Sequence, residues 1–574
     1  MVNTPACQAG DRRFESGRPR LLFMDKPWVR FYDEGVPSSL KERVHPLPYY
    51  LEENARSVPQ FPAIIFYGKT ITYGELNELV NRLANVLRKL GVKEGDKVGL
   101  FLPNTPQAII AFYATLKLGA IVVQNNPLYT ARELEYQLKD AEVETLITLD
   151  LEELYDKVDQ IRNVVGLKNV IVGSLREYLP PTKALLYPFA MRGKIASVKY
   201  GGGIYAWHDM IRSAAPEFVG PELKLDDIAL IQYTGATTGT AKGVMLTHHN
   251  ISINAYQAFL WFKKPLHKQF LSVLPYFHIY GMTTAMNLPI ISCSTMVVMP
   301  LFKPREIVEA IERYKVYFFP GIPQMFAALT RLPKIERYDL SSLCVCVSGA
   351  APLPREIEVR FEQLSGARLI EGYGLTEASP VTHCNPAYGV KKSGSIGIPW
   401  PDTDAKIVDL MTGEEELPPG QEGELIVRGP QIMKGYWKRD DLTNAVLRDG
   451  WLYTGDIAKM DEDGFFYIVG RKKDIIIVRG YNVNPEEVEA VLIQHPKIKE
   501  AAVIGVPDEV HGEVPKAYVV LEEGVTLEPK EIINFCRERL AEYKVPKYVE
   551  YRDSLPKSII GKVLRRKLRE ELTG

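Results

Sequence analysis

The eleven residues from Tyr233 to Gly243 hold three glycines, four threonines and one lysine. An apolar run, Ile228 to Ile231, leads into them, and Val244 to Leu246 follows. A loop of this composition offers many backbone N–H groups, several hydroxyls and one cation to a single point. Those are the groups that polyphosphate binds. The spacing excludes the P-loop NTPase signature. Two residues separate Gly239 from Lys242, and Gly243, not Ser or Thr, follows the lysine. The plain alternative is a flexible Gly/Thr surface turn.

The elements around the loop are those that can hold it. Thr72 and Glu75 have the spacing of a capping box. Leu76, Leu79, Val80, Leu83, Val86, Leu87 and Leu90 then recur at helical intervals, and Gly91 ends that helix. Residues 97–102 read as a strand, and Asn104 begins the next helix. Residues 120–123 are a strand, 130–141 a helix and 145–149 a strand. Short apolar strands alternating with helices predict doubly wound parallel α/β sheets. The character changes from Arg471 onward. Strands at 474–478, 501–504 and 517–521 surround helices at 485–494 and 529–540, a small α+β unit of about 100 residues, the size of a separate domain.

A chain of 574 residues calls for two or more domains. Its hydrophobic fraction of 46% is that of a globular protein, and a net charge of −1 implies no general affinity for nucleic acid. Six cysteines in such a length make no disulfide framework. Cys344 and Cys346 read as buried thiols, and no second Cys/His pair has zinc spacing. A reducing, cytosolic setting fits. Residues 1–20 lack the apolar core of a signal peptide. The longest apolar stretch, Thr283 to Phe302, is broken by Asn287, Pro289 and Pro300 and reads as a core helix followed by a core strand. Between Ser174 and Gly203 the pattern weakens, and Leu185, Leu186, Tyr187, Phe189 and Met191 stand beside Lys183, Arg192, Lys194 and Lys199. This segment could dock on an anionic membrane; packing on its own protein is the preferred reading.

The loop resembles the phosphate-binding loop of the adenylate-forming superfamily, which includes acyl-CoA synthetases, adenylation domains and luciferases. It departs from the usual wording twice, with Ala236 for a glycine and Ala241 for a proline. Ala241 is familiar from long-chain fatty acyl-CoA ligases. Ala236 adds strain of about 1 kcal/mol if its φ must be positive. Five further segments are similar to that superfamily's motifs and fall in its order. They are residues 274–281, 371–377, 451–456, 470–474 and 555–562. Residues 126–135, 230–234, 393–399 and 543–547 look like the bacterial-type long-chain fatty acyl-CoA ligases. That likeness runs from about residue 27 to the C-terminus.

The resemblance implies a polar leader (1–26), an AMP- and acyl-binding domain (27–472) and a small mobile α+β lid (473–574). The large domain would combine doubly wound sheets with a β-barrel-like subdomain. Thr234, Gly235, Ala236, Thr237, Thr238, Gly239 and Thr240 would hold the phosphates, with Lys242 adding charge. Glu377 and the Thr234 hydroxyl would bind Mg2+. Gly349, Ala350 and Ala351 would let adenine approach, and Tyr373 would stack on it within the segment Glu371, Gly372, Gly374 and Thr376. Asp456 would accept from both ribose hydroxyls, supported by Arg471. Lys562 would bridge the substrate carboxylate and the α-phosphate. His278 would gate the path between adenylate and thiol. The lid would turn about Lys473, and Arg479, Gly480 and Tyr481 would meet CoA.

The implied reaction is ATP-dependent conversion of a fatty acid to an acyl-adenylate, then transfer to CoA. Tyr276, the segment Gly321 to Phe326 and the segment Ala378 to Val381 are expected at the acyl site, which carries no charge that would recognise a polar acid. A medium-chain or aryl acid ligase uses the same machinery. A freestanding ligase that loads a carrier protein in trans is a second alternative, and a non-enzymatic ATP sensor a distant third. The expected partners are small molecules, not nucleic acid. A homodimer and a peripheral membrane contact are compatible with this reading.

Overall fold

The structure, a computed structural model, describes residues 26–40, 44–234, 241–478, 481–508, 512–557 and 563–573, with backbone alone at 481, 482 and 573. Four sheets form among the described residues. An eight-stranded sheet has parallel strands at its centre: Ile121–Gln124, Lys97–Leu100, Thr145–Leu149 and Asn169–Gly173. On one side it continues through Ile228–Thr234 and then, antiparallel, through Lys242–Thr247 and Gly435–Tyr436. A nine-stranded sheet is parallel from Arg368–Gly374 through Val345–Ser348, Phe318–Gly321, Gln269–Ser272 and Thr295–Val298 to Pro62–Phe66, with antiparallel strands at both edges. Apolar β-branched runs form these strands because both faces are covered.

Two helices are buried nearly all round and join the large sheets. Every residue of Pro106–Lys117 is buried, as is every residue of His248–Trp261 except His249. The Tyr113 hydroxyl donates to Asn287 at 3.1 Å, and Asn254 donates to the Val381 carbonyl at 2.8 Å. Such helices have apolar residues on all faces, which is why neither shows a clean amphipathic stripe in the sequence. The expected capping box is present: Thr72 and Glu75 close the first turn of Tyr73–Lys89. A second one, at Thr130 and Glu133, starts Ala131–Asp140. One boundary differs. The helix expected from Asn104 starts at Pro106 with Thr105 as its cap. The Asn104 amide is instead used on the carbonyls of Ser272 and Leu274, which ties the two halves together.

A five-stranded antiparallel sheet, Asp404–Val408, Gly423–Arg428, Trp451–Met460, Leu447–Arg448 and Phe466–Arg471, follows. The small unit has strands Tyr481–Val483, Ile476–Val478, Gly512–Leu521, Ile498–Asp508 and Tyr548–Tyr551. Its own core includes Val488, Leu492, Val519 and Ile532. The strand expected from Asp474 begins two residues later, because Lys472–Asp474 form a 3-10 turn. Cys346 is buried, whereas Cys344 is only half-buried; both thiols are free. No helix among the described residues is long and apolar enough to cross a membrane.

The seam between the nine-stranded and five-stranded sheets passes through Gly397. Its carbonyl accepts from the Phe466 N–H at 3.0 Å, and Ile396 donates to the Phe466 carbonyl at 3.0 Å. Gly397 has φ +90°, and an added Cβ would fall 2.0 Å from the Cys384 carbonyl carbon. Gly397→Ala combines a left-handed backbone with backbone overlap, so a loss of roughly 2–4 kcal/mol is expected. A lowered thermal midpoint checks this; an unchanged midpoint would show that the seam relaxes freely.

Candidate active site

The phosphate-loop candidate joins two antiparallel strands. Thr234 ends one strand, Lys242 begins the next, and the two are cross-strand partners. Residues Gly235, Ala236, Thr237, Thr238, Gly239 and Thr240 lie outside the described residues. The base of the hairpin is clamped. The Tyr233 hydroxyl donates to Asp140 at 2.5 Å, and the Trp437 indole donates to the Asp140 carbonyl at 2.9 Å. The backbone N–H of Trp437 donates to the Gly243 carbonyl at 2.7 Å. An added Cβ at Gly243 would meet Ile231 at 2.8 Å, so glycine is needed for the close approach.

The hairpin borders a cavity of about 490 Å³. Thr234 and Lys242 line it, together with His278, Gly349, Ala350 and Glu377. Gly372, Tyr373, Gly374, Thr376, Arg471 and Lys473 complete the expected residues on its wall. Gly374 is constrained: an added Cβ would lie 2.0 Å from the Pro380 carbonyl oxygen. Ala350 holds φ +69°, a left-handed backbone at a non-glycine residue on the cavity wall.

Two polar clusters are built into the wall. In the first, the Tyr436 hydroxyl donates to Glu377 at 2.7 Å, and the Lys242 ammonium stands 5.0 Å from the centre of the Tyr436 ring. Burial and the Glu377 charge push the Tyr436 phenol upward, so it stays a donor. In the second, Asp456 is 3% exposed and pairs across the strands with Arg471, which donates at 2.8 Å. The Tyr373 hydroxyl donates to the other Asp456 oxygen at 2.6 Å. The nearby Asp456 charge raises the Arg471 guanidinium further. Sequence reasoning expects Tyr373 for its ring alone; the phenol also has a fixed carboxylate partner.

His278 caps a short helical turn, and its Nδ1 accepts from the Tyr280 N–H at 3.3 Å. Burial lowers its pKa to about 4, so the ring is neutral at pH 7. With Nδ1 accepting, the proton sits on Nε2.

The wall also carries an apolar set, Phe262, Val347, Val381, Cys384 and Trp400. Val381 belongs to the expected segment 378–381, whose Pro380 also lines the cavity; the other four were not singled out from the sequence. Tyr276, Gly321 and Ala378, expected there, do not line the cavity. Tyr276 is 1% and Ala378 0% exposed, and an added Cβ at Gly321 would touch the Phe326 ring at 2.9 Å. Glu371 and Asp456 are likewise absent from the wall; burial raises the Glu371 carboxyl to about 8. Tyr436 and Glu424 were also missed. Glu424 accepts from Lys472 at 2.8 Å and from the Gly455 N–H at 3.1 Å. The Gly435-Tyr436 dipeptide after a strand is a weak signal, and nothing local marks Glu424.

Lys473 sits in the 3-10 turn between Lys472 and Asp474. Lys472 is held by Glu424 of the five-stranded sheet, whereas Asp474 pairs with Arg569 at 3.0 Å and Arg565 at 3.3 Å in the C-terminal helix. Burial raises the Asp474 carboxyl, but the two arginines hold it below the usual range. Arg479, Gly480, Lys562 and the Tyr481 side chain lie outside the described residues.

Comparison with known proteins places this geometry. Residues 51–437 match the model of the AMP-binding enzyme family, and residues 487–562 that of the AMP-binding enzyme C-terminal domain. A Long-chain-fatty-acid--CoA ligase of Bacillus subtilis (strain 168) is 45% identical, covering 96% of this chain and 98% of that protein. One from Escherichia coli O157:H7 is 38% identical, covering 96% and 99%. Among solved structures, ATP-bound MatB from Rhodopseudomonas palustris superposes with a TM-score of 0.82 at 30% identity, covering 92% of this chain and 99% of that one. The chain belongs to the AMP-binding enzyme family.

Proposed function

We propose that this chain joins a long-chain fatty acid to CoA in two steps: ATP and the acid give acyl-adenylate and pyrophosphate, and the CoA thiol then displaces AMP. The observation that carries the reading is the polarity of one cavity. Lys242, Glu377 and Arg471, the last paired with buried Asp456, stand on a wall that also carries Phe262, Val347 and Trp400. A polyphosphate and an apolar chain need those two surfaces in one site. The long-chain substrate is supported by the Bacillus and Escherichia relatives.

A carboxylate is a poor electrophile because its charge repels nucleophiles. Attack on the α-phosphate gives it AMP as a leaving group, and the transition state collects negative charge. Positioned cations and N–H donors are then the main catalytic device. Lys242 and the loop residues 234–240 hold the phosphates. Glu377 and the Thr234 hydroxyl would supply oxygen ligands for a magnesium ion, which would offset the polyphosphate charge. Asp456 receives one bond from Arg471 and one from Tyr373. A carboxylate has about four acceptor sites, which leaves room for two ribose hydroxyls. Neutral His278 offers its Nε2–H at the junction of the polar and apolar walls. Phe262, Val347 and Trp400 take the acyl chain, each buried methylene contributing about 0.8 kcal/mol.

Residues 27–472 then form the adenylating body and 473–574 the lid. Lys562 on the lid bridges carboxylate and α-phosphate in the first step. Rotation about Lys473 brings Arg479, Gly480 and Tyr481 to the CoA path for the second.

AMP release with acids of graded length, with and without CoA, tests the reading. Turnover rises with chain length and requires CoA; preference for an aryl or short acid, or independence of CoA, would overturn it. Tyr436→Phe removes the bond to Glu377, and adenylation falls about tenfold, since hydrogen bonds to charged groups contribute roughly 1.5–3 kcal/mol. A normal pyrophosphate-exchange rate in this variant would show that Glu377 needs no such partner. Lys473→Pro restricts the hinge torsions. Pyrophosphate exchange survives and thioester formation drops by at least about tenfold; loss of both would make Lys473 a structural residue.

A further inference from the structure

The segment between Ser174 and Gly203 folds as a fixed projection. Helix Pro181–Ala190 turns Tyr187 inward, where it is 6% exposed. The Arg176 side chain donates to the Ala184 carbonyl at 3.1 Å. Downstream, Ala196 donates to the Asp150 carbonyl at 2.8 Å and Glu152 to that of Lys194 at 2.9 Å, so the return of the chain is pinned as well.

The other side of this helix is apolar and uncovered. Leu185 is 69%, Leu186 60% and Phe189 79% exposed. A soluble helix ordinarily turns such residues toward the core. Along the segment itself the charge has one sign. From Tyr178 to His208 the sequence has Lys183, Arg192, Lys194 and Lys199 and no Asp or Glu, in a chain whose net charge is −1. All four cations are exposed. Lys183 also reaches Tyr67, donating to its carbonyl at 3.0 Å with the ammonium 5.2 Å from the ring centre. Tyr67 and Tyr200 add two exposed aromatic rings of amphipathic type.

We infer that this helix docks the enzyme on an anionic lipid surface, with Leu185, Leu186 and Phe189 entering the acyl boundary and the lysines and arginine meeting the headgroups. Exposed apolar side chains inside a basic collar are the composition of an interfacial helix. Long cationic side chains reach the headgroup level while their stems follow the apolar surface. Two other occupants fit less well. A second copy related by a two-fold axis would bring four cations against four. Residues 1–26 carry five cations and three acids, so they have no excess negative charge to offer the collar. The contact is peripheral, since no described helix is long and apolar enough to cross a membrane.

Cosedimentation of the full chain with vesicles of phosphatidylcholine, with and without phosphatidylglycerol, tests the assignment. The chain binds the anionic vesicles, and salt weakens the binding. Leu185→Ser, Leu186→Ser and Phe189→Ser combined lower the bound fraction on the order of tenfold or more, as does the combination Arg192→Glu, Lys194→Glu and Lys199→Glu. Because all six side chains are exposed, thermal midpoints and pyrophosphate exchange stay at wild-type values. Absence of wild-type binding, or equal binding by the apolar triple variant, overturns the inference. So does a change from dimer to monomer in that variant on sedimentation, which would assign the face to a second copy.

Discussion

Three of the four residues from Arg471 to Asp474 carry ion pairs in opposite directions, and the geometry of the site depends on them. Arg471 is bonded to buried Asp456 and Lys472 to buried Glu424, both in the five-stranded sheet. Asp474 is bonded to Arg565 and Arg569 of the C-terminal helix. Breaking one partner out of such a pair leaves a buried charge without compensation, at a cost of about 3–5 kcal/mol. The backbone is thus anchored to one body up to Lys472 and to another from Asp474. In the proposed reaction the hinge at Lys473 falls between these two anchors.

The same anchoring fixes one side of the cavity. Tyr373 belongs to the nine-stranded sheet, Asp456 and Arg471 to the five-stranded one. Their shared hydrogen bonds set the distance between the two sheets. The phosphate-loop hairpin is held independently, by the strand Gly435–Tyr436 and by Asp140. Three separate elements therefore converge on one cavity, each with its own clamp.

Much of this was legible in the sequence because the relevant signals are local. The capping box at Thr72, the α/β alternation, the Gly/Thr loop and the small C-terminal unit each depend on residues close together in the chain. What was missed depends on long-range placement. Tyr436 matters only because its strand returns to the hairpin, 59 positions after Glu377. Glu424 looks like any surface glutamate until its strand is paired beside Gly455. Tyr276, Gly321 and Ala378 are small or apolar and close to motif residues, as wall residues would be. Spacing alone cannot separate the surface of a cavity from the layer behind it. Phe262, Val347 and Trp400 come from three distant segments and share no pattern. The start of the helix after Asn104 shifted because its amide found carbonyls 168 and 170 residues away. Ala236 remains without a structural account, since it lies outside the described residues.

Tyr436 also resolves an electrostatic problem. Lys242 and Glu377 carry opposite charges on one cavity wall, and a direct ion pair between them would compete with phosphate and metal. At 4 Å and an effective dielectric of 20, two unit charges attract by about 4 kcal/mol. Binding would have to overcome that attraction before gaining anything. The phenol of Tyr436 satisfies Glu377 through its hydroxyl and meets Lys242 through its ring. Each charge is thereby compensated by a neutral group, and a hydrogen bond or cation–π contact of roughly 1–3 kcal/mol is easier to exchange than a buried ion pair. In the proposed reaction this keeps the cation available for phosphate and the carboxylate available for magnesium, while both stay oriented.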